Sequence, residues 1–373
     1  MRIVFVGGGT GGHFYPLIAI AEAIRNRDQE LGTDSDLLYL GPNTYNKSAL
    51  DAEKIRFVRV PAGKRRLYFS WHNFVDPFVT IFGVVVAFWK LLWIYPDVVM
   101  SKGGFTSVPV VIAAWLLRIP IVIHESDSVP GRANKLAKRF ARYIGIVHDD
   151  VAKYFSEKKV ALVGMPMRQS FFKKVSDPYQ TVGIPKDKPV ILFTGGSLGA
   201  ERINNFVLSS LSQLLPHYTV LHQAGDSHIE QITADATTLI EDQNLLKSYF
   251  VFGHMAQEQF AAAMQAANLI VTRAGSTSLS EISLMGKPSI VIPIPEDVSR
   301  DQRSNAYSYA RNGGAVVLEE ENLSDDILVA EINRILGDKQ TYEKMSQSAK
   351  GFTSETAAYT LADTLRDIAT EHE

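Results

Sequence analysis

The chain of 373 residues contains no cysteine. Disulfides and thiolate metal sites are thereby excluded, and the composition suits a reducing cytoplasm. The only Asp-x-Asp, Asp34-Ser35-Asp36, precedes a strand rather than following one and reads as a turn. No metal and no other cofactor is expected. The start Met1-Arg2-Ile3-Val4-Phe5-Val6 runs straight into glycines, which predicts a strand and no signal peptide. Net charge is small, −2, and no nucleic-acid partner is expected.

The small net charge conceals an asymmetry. Residues 1–163 carry 21 Lys+Arg against 14 Asp+Glu, and residues 164–373 carry 17 against 26. A basic front half suits an anionic membrane surface or a phosphorylated substrate. The length suggests two domains with ample core.

The clearest stretch is Asn268-Leu269-Ile270-Val271 followed by Thr272-Arg273-Ala274-Gly275-Ser276-Thr277-Ser278. An apolar run of this kind predicts a buried parallel strand. A helix is predicted from Leu279 to Met285, ended by Gly286 and Pro288. The glycine turn lets a ligand approach the backbone, and the helix start favours an anion such as a phosphate. Glu281 lies one turn further in, where a carboxylate can accept hydrogen bonds from a sugar diol.

The same grammar opens the chain. Strand Ile3–Val6 leads into Gly7-Gly8-Gly9-Thr10-Gly11-Gly12-His13 and a helix over roughly 15–26. The glycine spacing is that of dinucleotide sites. The second strand, Leu37–Leu40, ends in Gly41-Pro42-Asn43, without the acid that would hold an NAD ribose, so a dehydrogenase is disfavoured. An anion cradle remains, with His13 at its lip as a base facing a ligand. Further polar turns follow predicted strands at Ser101-Lys102-Gly103-Gly104-Phe105-Thr106-Ser107 and His124-Glu125-Ser126-Asp127, the ligand edge of a parallel sheet. After a polar linker the opening motif recurs as strand Val190–Thr194, turn Gly195-Gly196-Ser197-Leu198-Gly199-Ala200 and a helix over 202–215. The fold class is therefore α/β, two Rossmann-like domains in series.

One segment fits neither motif. From Phe78 to Tyr95 the only charge is Lys90. It has the length of a short membrane span, but it lies between βα units and precedes strand Val98–Met100. It predicts a helix with one face in the core and part of its apolar surface exposed. With Lys64-Arg65-Arg66, Trp71, Phe74 and Trp89 it reads as an interfacial membrane patch.

Six motifs occur in one order: Gly8-Gly9-Thr10-Gly11-Gly12-His13; Gly103-Gly104-Phe105 with Ser107 and Pro109; His124-Glu125 with Pro130-Gly131 and Asn134-Lys135; Gly195-Gly196-Ser197 with Gly199-Ala200; Arg273-Ala274-Gly275 with Glu281; and Gln302 with Asn305-Ala306. Together they closely resemble the MurG family of GT-B glycosyltransferases, family 28, over nearly the whole chain. The resemblance implies two Rossmann-like domains facing a cleft, residues 1–163 for the acceptor and membrane and 164–340 for the UDP-sugar. Residues 341–373 would be a helical segment crossing back to brace the first domain. It implies inverting transfer of N-acetylglucosamine from UDP-GlcNAc to the muramyl 4-hydroxyl of lipid I, giving lipid II. The place would be the cytoplasmic face of the cell membrane, peripherally, on an anionic inner-leaflet surface, with other wall-synthesis proteins as further partners.

The residues implied are His13 as general base, with Glu125 also catalytic, and Thr10, Gly11 and Gly12 beside the diphosphates. Asp127 and Asn134 are implied as substrate-binding. Arg168, Ser197 and Ser276-Thr277-Ser278-Leu279-Ser280-Glu281 would grip the diphosphate and ribose. Backbone near Phe252 would read uracil and Gln302 the sugar, and Asp301 and Asn305 are implied as substrate-binding. Leu198 stands where the family usually has Gln, Asp127 and Met165 where it has Asn, Asp301 where it has His, and Ser276 where it has Ala. Asp127 and Asp301 are expected to weaken an anionic donor unless paired or hydrogen-bonded. Another GT-B enzyme on UDP-sugars, such as a glycolipid synthase or an epimerase, and a catalytically silent nucleotide-sugar-binding protein are the alternatives.

Overall fold

The computed structural model describes residues 1–64, 71–195, 201–296 and 301–371. It divides into two compact units, Met1–Gln169 with Ser354–Glu373, and Ser170–Thr353. The boundaries fall six residues after the expected 163 and thirteen after the expected 340.

The first unit holds a parallel sheet of seven strands: β1 (Arg2–Gly7), β2 (Asp36–Gly41), β3 (Arg56–Arg59), β4 (Val98–Gly103), β5 (Ile121–Glu125), β6 (Tyr143–Ile146) and β7 (Val160–Leu162). Their order is β3-β2-β1-β4-β5-β6-β7. The inner strands are buried on both faces, so they read as continuous apolar runs rather than alternating ones. The chain leaves β1 outward to β2 and β3, then returns to β4 beside β1. That reversal is a topological switch point, where such sheets open a crevice at the carboxyl ends of their strands. Gly7 pairs with Gly103 across it.

The helix Gly11–Leu31 packs on one face of this sheet together with the helix Ala357–Thr370 from the end of the chain. Leu361, Leu365 and Ile368 join Phe14, Leu17 and Ile24 in one buried cluster. The first helix begins four residues earlier than expected. Pro16 falls in its second turn, near enough to the start that little is lost by the missing N–H.

On the other face lies the helix His72–Ile94. Gly83, Ala87 and Leu91, four residues apart, form its buried stripe. The stripe is narrow because small side chains let the backbone come close: a Cβ on Gly83 would sit 2.1 Å from the Pro61 carbonyl oxygen. Phe74, Phe78, Ile81, Phe82, Trp89 and Trp93 are all exposed. Residues Phe74–Ile94 have a mean hydropathy of 2.0 and are long and apolar enough to cross a membrane by length and composition.

The second unit has six parallel strands: β8 (Val190–Thr194), β9 (Thr219–Gln223), β10 (Tyr249–Phe252), β11 (Leu269–Thr272), β12 (Ser289–Val291) and β13 (Ala315–Val317). Their order is β10-β9-β8-β11-β12-β13. The switch point here lies between β8 and β11, where Thr194 pairs with Thr272. The helices Asp325–Gly337 and Lys339–Ala349 belong to this unit.

Candidate active site

In the first unit three segments meet because they leave neighbouring strand ends. β1 delivers Gly8–His13, β4 delivers Gly103–Ser107, and β5 delivers Glu125–Asn134. Gly103 and Gly104 have φ of 88° and 77°, which a side chain rarely adopts. A Cβ on Gly103 would lie 2.9 Å from Asn134 Oδ1, and one on Gly104 3.8 Å from His13 Nε2. Bare backbone is thus what brings the three segments together.

Thr10 caps the first helix from extended backbone, and Gly11 and Gly12 form its first turn. The Thr10 hydroxyl and His13 Nδ1 share a hydrogen bond of 2.8 Å. Burial and the nearby Lys102 ammonium lower His13 to about 4, against an opposing pull from Asp127. The imidazole is therefore uncharged at neutral pH.

Glu125 is buried and engaged at both oxygens. Oε1 accepts the Asp127 N–H at 3.1 Å. Oε2 accepts the Gly131 N–H at 2.9 Å and Asn134 Nδ2 at 3.0 Å. Burial and Asp127 raise its carboxyl, while Lys102 and the hydrogen bonds pull the other way. The Asn134 amide also reaches the His124 carbonyl at 3.2 Å. His124 is buried against the Gly164 carbonyl at 2.9 Å and lies well below the ordinary histidine range, from burial first and Lys102 second. Glu125 and Asn134 therefore fold the loop that carries Asp127. Arg168 lies in this first unit, its guanidinium 4.6 Å over the Tyr15 ring. Met165 is fully buried.

Sequence reading passed over Lys102 as a charge in this group. Its side chain is 1% exposed, and Nζ has no hydrogen-bond partner. Burial lowers it to about 8, against Glu125 and Asp127, which raise it. A lysine inside a glycine motif after an apolar strand was the available signal.

In the second unit the turn after β11 is braced from behind. Arg273 Nη1 donates to the Ile292 and Pro293 carbonyls at 3.2 and 3.3 Å and pairs with buried Glu320 at 2.5 Å. Glu320 also takes Arg202, at the start of the helix Glu201–Leu214, at 2.8 Å. Asn305 Nδ2 donates to the Ala274 carbonyl at 3.3 Å, and Gln302 Oε1 accepts the Ile294 N–H at 3.4 Å. The helix runs Ser276–Met285, so Ser276-Thr277-Ser278 form its first turn rather than a loop before it. Leu279 is buried, the buried Ser280 hydroxyl donates to the Ser276 carbonyl at 2.8 Å, and Glu281 is half-buried. Phe252 ends β10, two strands from this turn. Asp301 precedes the helix Gln302–Ala310, and its carbonyl accepts the Asn305 N–H. Ser197 and Leu198 lie outside the described residues. Among the described residues no group of three or more His, Asp or Glu is placed to hold a metal ion.

Two doubly wound parallel-sheet domains, each with a glycine turn at its switch point, define the GT-B glycosyltransferase architecture. Residues 3–146 match the glycosyltransferase family 28 N-terminal domain, and residues 190–363 the family 28 C-terminal domain. The chain belongs to glycosyltransferase family 28. It is 33% identical to the UDP-N-acetylglucosamine--N-acetylmuramyl-(pentapeptide) pyrophosphoryl-undecaprenol N-acetylglucosamine transferase 2 of Bacillus cereus, covering 98% of this chain and 99% of that one. The Legionella pneumophila transferase of the same name is 36% identical, over 93% and 92%. The crystal structure of Acinetobacter baumannii MurG superposes with a TM-score of 0.74 at 21% identity, covering 98% and 99%. That last likeness is one of fold.

Proposed function

We propose that the protein moves N-acetylglucosamine from UDP-GlcNAc to the muramyl 4-hydroxyl of undecaprenyl-diphosphate-linked muramyl-pentapeptide, giving lipid II. The reading is carried by His13: an uncharged imidazole at an anion-type turn, in a chain aligned end to end with transferases of that name. In this reading His13 is the tautomer protonated at Nδ1, which donates to the Thr10 hydroxyl and leaves Nε2 to take the proton of the 4-hydroxyl. The freed oxygen attacks the anomeric carbon of the donor, the bond to the β-phosphate oxygen breaks, and its electron pair leaves with UDP. Attack opposite the leaving group inverts the anomeric centre.

The second unit would hold the donor. The first turn of the helix Ser276–Met285 offers backbone N–H groups and a positive helix end to the diphosphate, and Ser197 is assigned to the same group. Glu281 is assigned to the ribose, the backbone near Phe252 to uracil, and Asp301, Gln302 and Asn305 to the sugar side. Arg168 is assigned to charge developing on the departing diphosphate. Glu125 and Asn134 are assigned to shaping the acceptor loop, with Asp127 on it. The exposed apolar side of the helix His72–Ile94 would rest in the cytoplasmic leaflet, where a lipid-linked acceptor is found. An anionic leaflet complements the basic first half, and other wall-synthesis proteins would work beside it.

The test is transfer from labelled UDP-GlcNAc to a lipid I analogue in vesicles. Label in a disaccharide-lipid product is the expected result. Donor that binds without being consumed, or that is epimerised without acceptor, would overturn the reading.

A further inference from the structure

A buried ammonium without a hydrogen bond is costly, because no partner replaces the water it has lost. Lys102 Nζ is such a group, and it stands on β4 directly before the Gly103–Gly104 turn against which His13 packs. What offsets the cost is charge at a distance. Glu125 and Asp127 both favour the protonated lysine, and Lys102 in turn acts on His13 and His124. Thr106 Oγ1 and Asn134 Oδ1, beside the same turn, are also buried without partners.

We propose that Lys102 is a positioning residue for His13: buried on β4 directly before the turn against which His13 packs, its ammonium acts together with burial to oppose a charge on the imidazole and balances the carboxylate that Asp127 adds to the site. Two charges act on His13, Lys102 from β4 and Asp127 from the loop after β5. Thr10 bonds its Nδ1, and the turn 103–107 brings no charge of its own. Lys102 and Asp127 thus act on the imidazole with opposite sign. Asp127 does not load the site with uncompensated negative charge, because the lysine answers it. The inference rests on His13 being the base, and the measurement below separates the two.

The experiment follows the imidazole carbon signals of the full-length protein, labelled at histidine, during a pH titration. The His13 signal is assigned by its loss in His13→Asn. In Lys102→Met, which keeps the side-chain length and removes the charge, the His13 midpoint is expected to rise by about one unit or more. In Asp127→Asn, which leaves Lys102 in place, it is expected to fall. An unchanged thermal unfolding transition and unchanged fluorescence of the four tryptophans, all of which lie in the first unit, report that this unit is intact. A His13 midpoint unmoved in a folded Lys102→Met, or moved the same way in both variants, overturns the proposal. The acid limb of kcat/KM is then compared. If it moves with the His13 midpoint, both readings stand. If the midpoint moves and the limb does not, Lys102 still governs His13, but His13 is not the base.

Discussion

Arg366 donates to Asp28 at 2.6 Å, a contact between residues 338 positions apart. Asp28 is buried on the first helix, and its oxygens also accept from the Thr33 hydroxyl and from the backbone and hydroxyl of Ser35. Burial alone would raise its carboxyl. The bonds from Ser35, Thr33 and Arg366 outweigh that and hold it below the usual carboxylate range. Asp28→Asn leaves Arg366 and the Ser35 N–H facing an amide, and should cost about 3–5 kcal/mol of stability near neutral pH. A depressed carboxyl stabilises above its unfolded value, and that stabilisation is lost as pH falls through the folded one. The variant should therefore show a shallower acid dependence than the parent in chemical denaturation.

Tyr39 and Gly8 make a second long-range pair. The Tyr39 hydroxyl donates to the Gly7 carbonyl at 2.6 Å, and a Cβ on Gly8 would lie 2.4 Å from that hydroxyl oxygen. Gly8→Ala is expected to distort the first anion turn and abolish transfer. Adding Tyr39→Phe removes the obstructing oxygen and should restore part of the activity. Tyr39→Phe alone loses one hydrogen bond, about 1 kcal/mol by thermal unfolding. A double variant no better than Gly8→Ala would show that steric contact with Tyr39 is not what requires the glycine.

His13→Ala should lower kcat by a factor of about 10² to 10⁴ while donor affinity is unchanged. In the parent, kcat/KM should fall as pH drops through about 4, where His13 takes up its proton. Single-turnover kinetics with donor binding measured separately checks both statements.

The helix His72–Ile94 can be altered on its outer side without touching its buried stripe. Phe78 and Phe82 are 73% and 60% exposed. Phe78→Ser with Phe82→Ser should leave the unfolding midpoint unchanged. Two phenylalanines withdrawn from lipid should weaken vesicle binding by about a hundredfold or more. Transfer to a lipid-linked acceptor should fall with it, and transfer to a water-soluble acceptor should not.

The sheets and their ligand turns were legible because their signals are local. The runs Val190–Thr194 and Leu269–Thr272 are buried on both faces; the first falls where expected, and the second lies one residue later than the expected 268–271. The helix from 276 was read three residues late because serine and threonine favour caps as readily as first turns. Its helix N-cap is Gly275, and the hydroxyl of Ser280 is turned back onto its own helix. β13, three residues long at Ala315–Val317, gave too short a run to be noticed. Lys102, Asp28 with Arg366, and Glu320 with Arg273 and Arg202 share another cause. Each depends on side chains meeting from distant parts of the sequence, and no periodicity encodes that. Arg168 was assigned by resemblance to the donor side, and its place over Tyr15 in the first unit is likewise a tertiary fact.

The helix Ala357–Thr370 completes the first unit, although the whole of the second is encoded before it. During synthesis at about 5–20 residues per second, the nascent first unit must wait some ten to forty seconds for its last element. Through that interval Phe14, Leu17 and Ile24 lack their cover from Leu361, Leu365 and Ile368. The later unit, whose parts are contiguous, is free to finish first. The unit begun first is therefore the last to receive all of its elements.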